Sequence, residues 1–278
     1  MEEDGHYRPA IKRHSLEKHR RHDFYAALFS KALHRRWRHR VYIGLYAGAG
    51  RAIVQPDGEL VETSALAVMR QEHPFTKYIF VDSDPRCIDA LRARIEALPA
   101  RHDVTLILEP VNDSVPEIER ALPRFDAARK EGMIVLCLVD PFRIDLDFDV
   151  IRRLSRYKID FLVMLPLGYD VRRNVRRYLE GEGEARLGAM IDAPGWREQW
   201  RASGQPDRHF IRFVMEMFDQ AMERLGYRRR ELRDTVSIKV TGKGVYLYSL
   251  AFYSRNELGE QFWKTTVTST EPNYDLGL

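Results

Sequence analysis

The stretch VYIGLYAGAG (residues 41–50) joins a short apolar run to a loop with glycines at positions 44, 48 and 50. A continuous apolar run is typical of a strand that is buried on both faces of a sheet. Glycine at the end of such a strand lets a ligand approach the backbone closely, because it has no Cβ. The loop alone could also be a tight turn, so its interpretation depends on the segments that follow.

Strand-like and helix-like segments alternate after the glycine loop. The predicted strands are residues 77–84, 103–110, 132–141 and 159–167, and the predicted helices are 63–72, 84–98, 115–125 and 147–157. A helix over 210–227 then precedes two strand-like runs around TGKG (241–244), which predict an antiparallel hairpin. This alternation predicts an α/β fold with a mostly parallel sheet that helices cover on both faces. Five such strands and a terminal hairpin are the layout of the Rossmann-like class I methyltransferase fold.

Two segments lie outside this alternation. Residues 15–40 have apolar side chains at helical spacing among many charges, and we expect an N-terminal helix there. Residues 1–40 contain eleven Lys and Arg against five Asp and Glu, which makes them a basic helical extension. The main domain is then 41–278, with 168–209 as an insertion after the fifth strand.

The glycine loop is the first candidate for a ligand site, because ligands of doubly wound sheets lie beyond the carboxyl ends of the strands. The spacing G-x-x-x-G-x-G differs from the dinucleotide fingerprint, since Ile53 stands where that motif needs a small residue. S-adenosylmethionine (SAM) needs a close approach but no cradle for a pyrophosphate, and it fits the loop better. We therefore expect Gly48 and Gly50 to face SAM.

Polar residues follow the next two predicted strands. Asp82 ends the second strand in FVDSD, where a carboxylate could accept hydrogen bonds from both ribose hydroxyls. A helix cap is the alternative role of Asp82, and Asp84 is the expected cap of the next helix. Asn112 or Asp113 follows the third strand and could bind the edge of an adenine, although Asn-Asp-Ser is also ordinary turn chemistry.

The fourth strand ends in LVDPF, which places Asp140, Pro141 and Phe142 at the same edge. Methyltransferases that act on amino groups have Asp or Asn, two prolines and an aromatic residue at this place. The acidic or amide oxygen and a backbone carbonyl hold the target nitrogen there, and the ring stacks on the substrate. This chain has one proline where that motif has two. Asp140, Pro141 and Phe142 are thus the candidate catalytic residues, and a strand-end turn packed by Phe142 is the alternative.

Arginines at positions 172, 173, 176 and 177 fall at helical spacing just after the fifth strand. Like charges so close together favour an anionic partner, so Arg172, Arg173, Arg176 and Arg177 could contact RNA or DNA, or a protein partner. The basic first forty residues could extend the same surface. A helix face exposed to solvent is the alternative interpretation of both features.

The cysteines, the histidines and the apolar runs exclude some classes of protein. Cys87 and Cys137 are too few to build a zinc or iron–sulfur site alone, the histidines have no ligand spacing, and we predict no metal. We expect both cysteines to be reduced thiols of a cytoplasmic protein. The first residues do not resemble a secretory signal, and no apolar run approaches the roughly 18 residues of a membrane span.

Several segments together resemble the three-Cys-motif partner family, TcmP. They are the N-terminal helix with the step Lys18–His19, GLYAGAGRA, TSALAV, YIFVDSDP, LVDPF, the pair Arg173–Asn174, and YLYSLAFYSRNELGEQFW. The resemblance covers most of the chain and falls in family order. It implies a SAM-methyltransferase-like Rossmann fold and a partner protein that carries the three-cysteine motif and is thought to resemble radical-SAM enzymes. It implies no particular reaction.

Two functional hypotheses follow. The first is transfer of a methyl group from SAM to a nucleic acid or to a partner-bound substrate, which Asp82 and Asp140 favour. The second is a non-catalytic partner or scaffold that binds nucleic acid or the three-Cys-motif protein, which the missing second proline favours. An NAD-type oxidoreductase is a third class, and Ile53 disfavours it.

Overall fold

The computed structural model describes residues 3–124, 132–181, 184–229, 235–239 and 246–269. Within these ranges the strands are β1 (Ala10–Lys12), β2 (His39–Leu45), β3 (Arg51–Gln55), β4 (Glu59–Glu62), β5 (Lys77–Asp82), β6 (Val104–Leu108), β7 (Met133–Val139), β8 (Ile159–Leu165), β9 (Val236–Lys239) and β10 (Tyr246–Tyr253). The helices are α1 (Ser15–Leu33), α2 (Ser64–Ala67), α3 (Pro85–Glu96), α4 (Val115–Ala121), α5 (Phe148–Leu154), α6 (Arg172–Glu180), α7 (Glu184–Met190), α8 (Trp196–Ser203), α9 (Phe210–Arg224) and α10 (Glu257–Ser269).

Seven strands form the main sheet in the order β6-β5-β2-β7-β8-β10-β9. The first five of these pair in parallel, and β10 runs antiparallel to both β8 and β9. This confirms the predicted α/β fold class, a mostly parallel Rossmann-like sheet with antiparallel strands at its C-terminal edge. The TGKG turn of the predicted hairpin lies outside the described residues.

The chain reverses its direction of sheet growth between β2 and β7. It first adds β5 and β6 on one side of β2, and then places β7 on the other side. Crevices at such a reversal are where ligands bind in open α/β sheets, because the connections on either side turn away from each other. The glycine loop follows β2 directly, and Asp140 follows β7.

Side chains on the two faces of the sheet join two hydrophobic clusters. Val41, Ile43 and Leu45 of β2 face the cluster formed with α4, α5 and the helices from α6 to α9. Tyr42 faces the opposite cluster, which includes residues of α1, α2, α3 and α10. Every residue of β8 is buried, as its mostly apolar sequence predicts for a central strand, and Asp160 is its one charged residue.

The N-terminal helix is part of the second cluster. Helix α1 ends at Leu33, seven residues before the predicted end at Arg40, and Tyr25, Phe29 and Leu33 pack against the sheet. Arg20 and Lys31 of α1 are exposed, whereas Arg21 and His22 are buried together with the apolar side chains. The predicted basic extension therefore shares a core with the main sheet.

A small second sheet was not predicted. Strands β3 and β4 form an antiparallel hairpin over residues 51–62, and β1 adds to β3 in parallel. The predicted helix over 63–72 is correspondingly short, with α2 followed by a 3-10 turn over Val68–Arg70. The segment 168–209 is helical and packs on the main sheet, where Trp196 and Trp200 are buried core residues.

Candidate functional site

The carboxyl ends of β2 and β7 lie side by side, and the backbone N–H of Asp140 donates to the carbonyl oxygen of Leu45 over 3.5 Å. Tyr46, Gly48 and Gly50 have positive φ angles of 62°, 67° and 79°. These angles bend the chain sharply away from the strand. Tyr46 adopts an unusual conformation for a residue with a side chain, which marks the loop as a constrained turn.

The two predicted ligand-facing glycines have different surroundings. A Cβ built on Gly48 has no heavy atom within 4 Å, so the space beside it is open. A Cβ built on Gly50 would lie 2.9 Å from side-chain carbons of both Leu66 and Leu91. Gly50 therefore packs the loop against α2 and α3, whereas Gly48 leaves room for a ligand next to the backbone.

Asp82 connects the glycine loop to the end of β5. Its Oδ2 accepts the backbone N–H of Gly48 over 2.8 Å, and its Oδ1 accepts the N–H of Asp84 over 2.9 Å. A carboxylate has about four lone-pair sites, so these two bonds leave acceptor capacity on each oxygen. Asp84 caps α3 as predicted, because its side chain accepts the N–H of Arg86.

Asn112 holds two loops together. Its Nδ2 donates to the carbonyl oxygen of Asp145 over 2.8 Å, and its Oδ1 accepts the N–H of Asp147 over 2.9 Å. Both ends of the amide are thus committed to the backbone of the segment that follows β7. Asn112 and Asp113 are both exposed, and the amide of Asn112 is already engaged with this backbone.

One residue at this edge was missed by the sequence analysis. Leu108 ends β6 next to Asp82 in the strand register, and 50% of it is exposed, a high value for leucine within this sheet. An exposed apolar side chain beside a polar anchor suits the face of an aromatic ring. Its sequence context, TLILEP, has no signal that separates Leu108 from the buried apolar residues of the strand.

Asp140 is held by a lysine of the N-terminal helix. The Nζ of Lys18 donates to Oδ1 and Oδ2 of Asp140 over 2.8 and 2.6 Å. The side chains are 19% and 14% exposed, so the ion pair is largely removed from water. The step Lys18–His19 was noted in the sequence only as part of a family resemblance, without a role at Asp140.

His19 lies beside this ion pair and is uncharged near neutral pH. Burial, followed by the nearby positive charge of Lys18, lowers the pKa of the His19 imidazole to about 3. Asp140 acts in the opposite direction but does not offset these effects. Of Lys18 and His19, Lys18 is thus the residue whose positive charge neutralises Asp140.

Pro141 and Phe142 complete the predicted motif. Pro141 is buried, and 71% of Phe142 is exposed, the highest value among the large apolar side chains of the described residues. Most of the surface of the Phe142 ring therefore faces solvent at the carboxyl edge of the sheet, whereas Pro141 is packed inside.

Asp170 ties the segment after β8 to the loop after β7. Its Oδ2 accepts the N–H of Ile144, and its Oδ1 accepts bonds from Asn174 and the hydroxyl of Tyr178, all within 3.1 Å. The start of α6 is thereby fixed at the same edge as Asp140. Arg176 and Arg177 are exposed on α6, and the side chains of Arg172 and Arg173 lie outside the described part of the structure.

A separate cleft of about 470 Å³ lies at the opposite edge of the sheet. Phe29, Trp37 and Ile134 contribute to its walls, and Asp160, near the start of β8, also lines it. Burial raises the pKa of the Asp160 carboxyl to about 7, although a hydrogen bond with Ser254 acts in the opposite direction. This cleft is remote from the glycine loop and from Asp140.

Further general features concern metals, thiols and membranes. Within the described ranges, no three His, Cys, Asp or Glu side chains are grouped as a metal site would require. Cys87 and Cys137 are free and buried. A search of the helices in the described residues finds none with the length and apolarity of a membrane span.

Comparison with known proteins gives similarities at the level of solved structures. No protein-family model and no curated protein matches the chain. The magnesium protoporphyrin IX methyltransferase ChlM from Synechocystis PCC 6803, solved with bound SAM, is 10% identical, with 91% of this chain and 86% of that chain covered and a TM-score of 0.42. The N-methyltransferase NodS from Bradyrhizobium japonicum WM9, solved with S-adenosyl-L-homocysteine (SAH), is 9% identical, with coverages of 88% and 89% and a TM-score of 0.42. The protein LPL1258 from Legionella pneumophila is 9% identical, with coverages of 92% and 93% and a TM-score of 0.46. Similarities this distant leave the function to be argued from the side chains of this chain.

Proposed function

We propose that the protein is a SAM-dependent methyltransferase whose cofactor lies beyond the carboxyl ends of β2, β5 and β6. The observation that carries the proposal is the open space beside Gly48, whose N–H is bonded to Asp82 at the reversal of the strand order. In this proposal Asp82 accepts hydrogen bonds from the ribose, Asp113 meets the adenine edge and Leu108 packs against its face.

Bound SAM supplies a methyl group on a positively charged sulfur. The chain has to hold an acceptor nitrogen in line with that methyl group, because positioning supplies most of the rate in such a displacement. Asp140 and the carbonyl oxygen of Pro141 would accept hydrogen bonds from the nitrogen, and Phe142 would stack on the acceptor. The carboxylate Asp140 belongs to the acceptor side of the site and Asp82 to the cofactor side.

The cofactor assignment predicts that SAM and SAH bind the purified protein and that Gly48→Val prevents this binding. The valine side chain would fill the open space that the cofactor needs. Asp82→Ala should weaken binding by at least about tenfold, because a hydrogen bond to a charged group contributes about 1.5–3 kcal/mol. Isothermal titration calorimetry measures both effects.

Gly58→Val is the matched control for the glycine variant. Gly58 also has a positive φ angle, 74°, and open space around it, but it lies in the turn between β3 and β4. Its replacement should produce similar backbone strain and leave SAM affinity unchanged. Absence of binding to the unmodified protein at millimolar SAM would overturn the cofactor assignment.

The acceptor is proposed to be a nucleic acid or a substrate held by a partner. The exposed Arg176 and Arg177 support this choice, because α6 begins at the edge where Asp140 lies and Asp170 fixes it there. Their charge, together with that of the exposed Arg20 and Lys31 of α1, would track a phosphate backbone. Alternatively, the same arginines would dock the three-Cys-motif protein that the family resemblance implies.

RNA or DNA binding should fall with salt, at a log–log slope of roughly −0.7 to −0.9 for each phosphate neutralised. Replacing Arg172, Arg173, Arg176 and Arg177 by alanine should flatten this slope and weaken binding to all sequences alike. Replacement of Arg101 and Arg156, exposed residues that precede the amino ends of β6 and β8, should change the slope less. Fluorescence anisotropy at two salt concentrations makes the measurement.

A second candidate function is a scaffold that keeps the fold without the reaction. The Lys18–Asp140 ion pair favours it, since this pair occupies the carboxylate that an acceptor would need. If single- and double-stranded RNA and DNA all fail to bind at low salt, docking of a protein partner becomes the better explanation of the basic surface. Binding of SAM without any transfer would favour the scaffold.

A further inference from the structure

The ammonium group of Lys18 contacts both oxygens of Asp140 in a largely buried position. Removing two charges from water is costly, and such pairs often stabilise a fold less than apolar residues would. Helix α1 is also anchored independently of the pair, by Tyr25 and Phe29 in the core and by Arg21, which donates to the carbonyl oxygen of Val267. The ion pair is therefore not needed simply to attach the helix.

If Asp140 orients an acceptor nitrogen, the Nζ of Lys18 occupies the place of that acceptor. A nitrogen donor at hydrogen-bond distance from the Asp140 carboxylate is the arrangement that the proposed reaction requires, and the Nζ of Lys18 meets this requirement within the chain itself. The neighbouring His19 is uncharged, so it does not compete with Lys18 for the carboxylate. Pro141 and Phe142 directly follow Asp140 in the sequence.

We propose that Lys18 is a methyl acceptor of this protein and that its Nζ is methylated by SAM bound in the same chain. This inference rests on the proposed function, because it needs SAM in the glycine-loop site. The ammonium group first releases a proton to water, and the free amine then attacks the methyl carbon. A nitrogen–carbon bond forms, the sulfur–carbon bond breaks with its electron pair left on sulfur, and the products are methyl-lysine and SAH.

The test is to incubate the purified full-length protein with SAM and to measure its intact mass. We expect a gain of one CH₂ unit, which peptide mapping should locate at Lys18. Lys18→Arg keeps a cation opposite Asp140 but removes the amine, so the gain should disappear. Asp140→Asn should slow the modification by about tenfold or more, because it removes the charged acceptor that holds the nitrogen.

Lys31 provides the matched control on the same helix. It is exposed in the last turn of α1, so Lys31→Arg should leave the mass gain intact, and Lys31 itself should stay unmodified. Calorimetry of SAM binding on the same sample separates a failure of this inference from a failure of the proposed function. Binding without modification, or equal modification of Lys18 and Lys31, would overturn this inference alone. Absence of binding would overturn both it and the proposed function.

Discussion

Asp140→Ala is expected to reduce methyl transfer by at least about 100-fold and to leave SAM affinity nearly unchanged. A loss of this size is typical when one hydrogen-bonding group at a reacting centre is removed. In the proposed function Asp140 lies on the acceptor side, whereas the cofactor contacts come from Gly48, Asp82, Leu108 and Asp113. The measurement is transfer of tritium-labelled methyl groups from SAM to nucleic acid, together with calorimetry for SAM.

The same substitution also leaves Lys18 without its partner. Breaking a fully buried ion pair by removing one member destabilises a protein by about 3 kcal/mol or more, so a smaller loss is expected for this partly buried pair. Part of any loss of transfer could then reflect unfolding. Urea denaturation of the Asp140→Ala protein should reveal this destabilisation directly.

The double variant Lys18→Met/Asp140→Ala separates the two effects. Neither charge remains, and the methionine preserves most of the unbranched side chain, so much of the lost stability should return. Methyl transfer should not return, because the variant still lacks the carboxylate that would hold the acceptor nitrogen. A double variant that transfers methyl groups at the wild-type rate would show that Asp140 has no role in the reaction.

Local sequence patterns were sufficient to predict the framework of the site. Continuous apolar runs and amphipathic helices determine a parallel sheet, and the carboxyl ends of parallel strands meet at one edge. Asp82, Asp113 and Asp140 could therefore be assigned to one edge without any knowledge of contacts. The different roles of Gly48 and Gly50 could not, because they depend on Leu66 and Leu91 across the loop.

Contacts between distant segments explain most of what was missed. Lys18 and Asp140 are 122 positions apart, and no local pattern links a helix lysine to a particular strand end. Position alone predicts Asn112 or Asp113 for the adenine edge, and it gives no sign that the amide of Asn112 bonds to the backbone at Asp145. The hairpin over 51–62 has a local signal in the sequence, the turn Pro-Asp-Gly between short apolar stretches.

The buried carboxyl of Asp160 should make the stability of the protein fall as the pH rises. Its pKa is about 7 in the folded chain, mainly because burial disfavours the charged form, and about 3.9 in an unfolded chain. Between these values the folded state binds more protons than the unfolded state. The stability that protonation contributes is thus complete below about pH 4 and is lost as the pH rises through about 7.

Asp160→Asn should remove this dependence, because the amide has a similar shape and does not ionise. The free energy of unfolding of the variant minus that of the wild type should be larger at pH 8 than at pH 5, by about 2–3 kcal/mol. Urea denaturation at the two pH values measures the difference and cancels the titration of other groups. Asp89→Asn, at an exposed position of α3, controls for the loss of one negative charge.

The Asp160→Asn variant also tests whether the amino and carboxyl edges of the sheet act independently. Asp160 lies near the amino end of β8, whereas Asp82 and Asp140 lie at or just beyond the carboxyl ends of β5 and β7. Asp160→Asn should therefore leave SAM affinity unchanged while it alters stability. A difference in unfolding free energy that is the same at pH 5 and pH 8 would show that the Asp160 carboxyl titrates as it does in the unfolded chain. A change in SAM affinity would show that the cleft at the amino edge is coupled to the glycine loop through the strands that connect them.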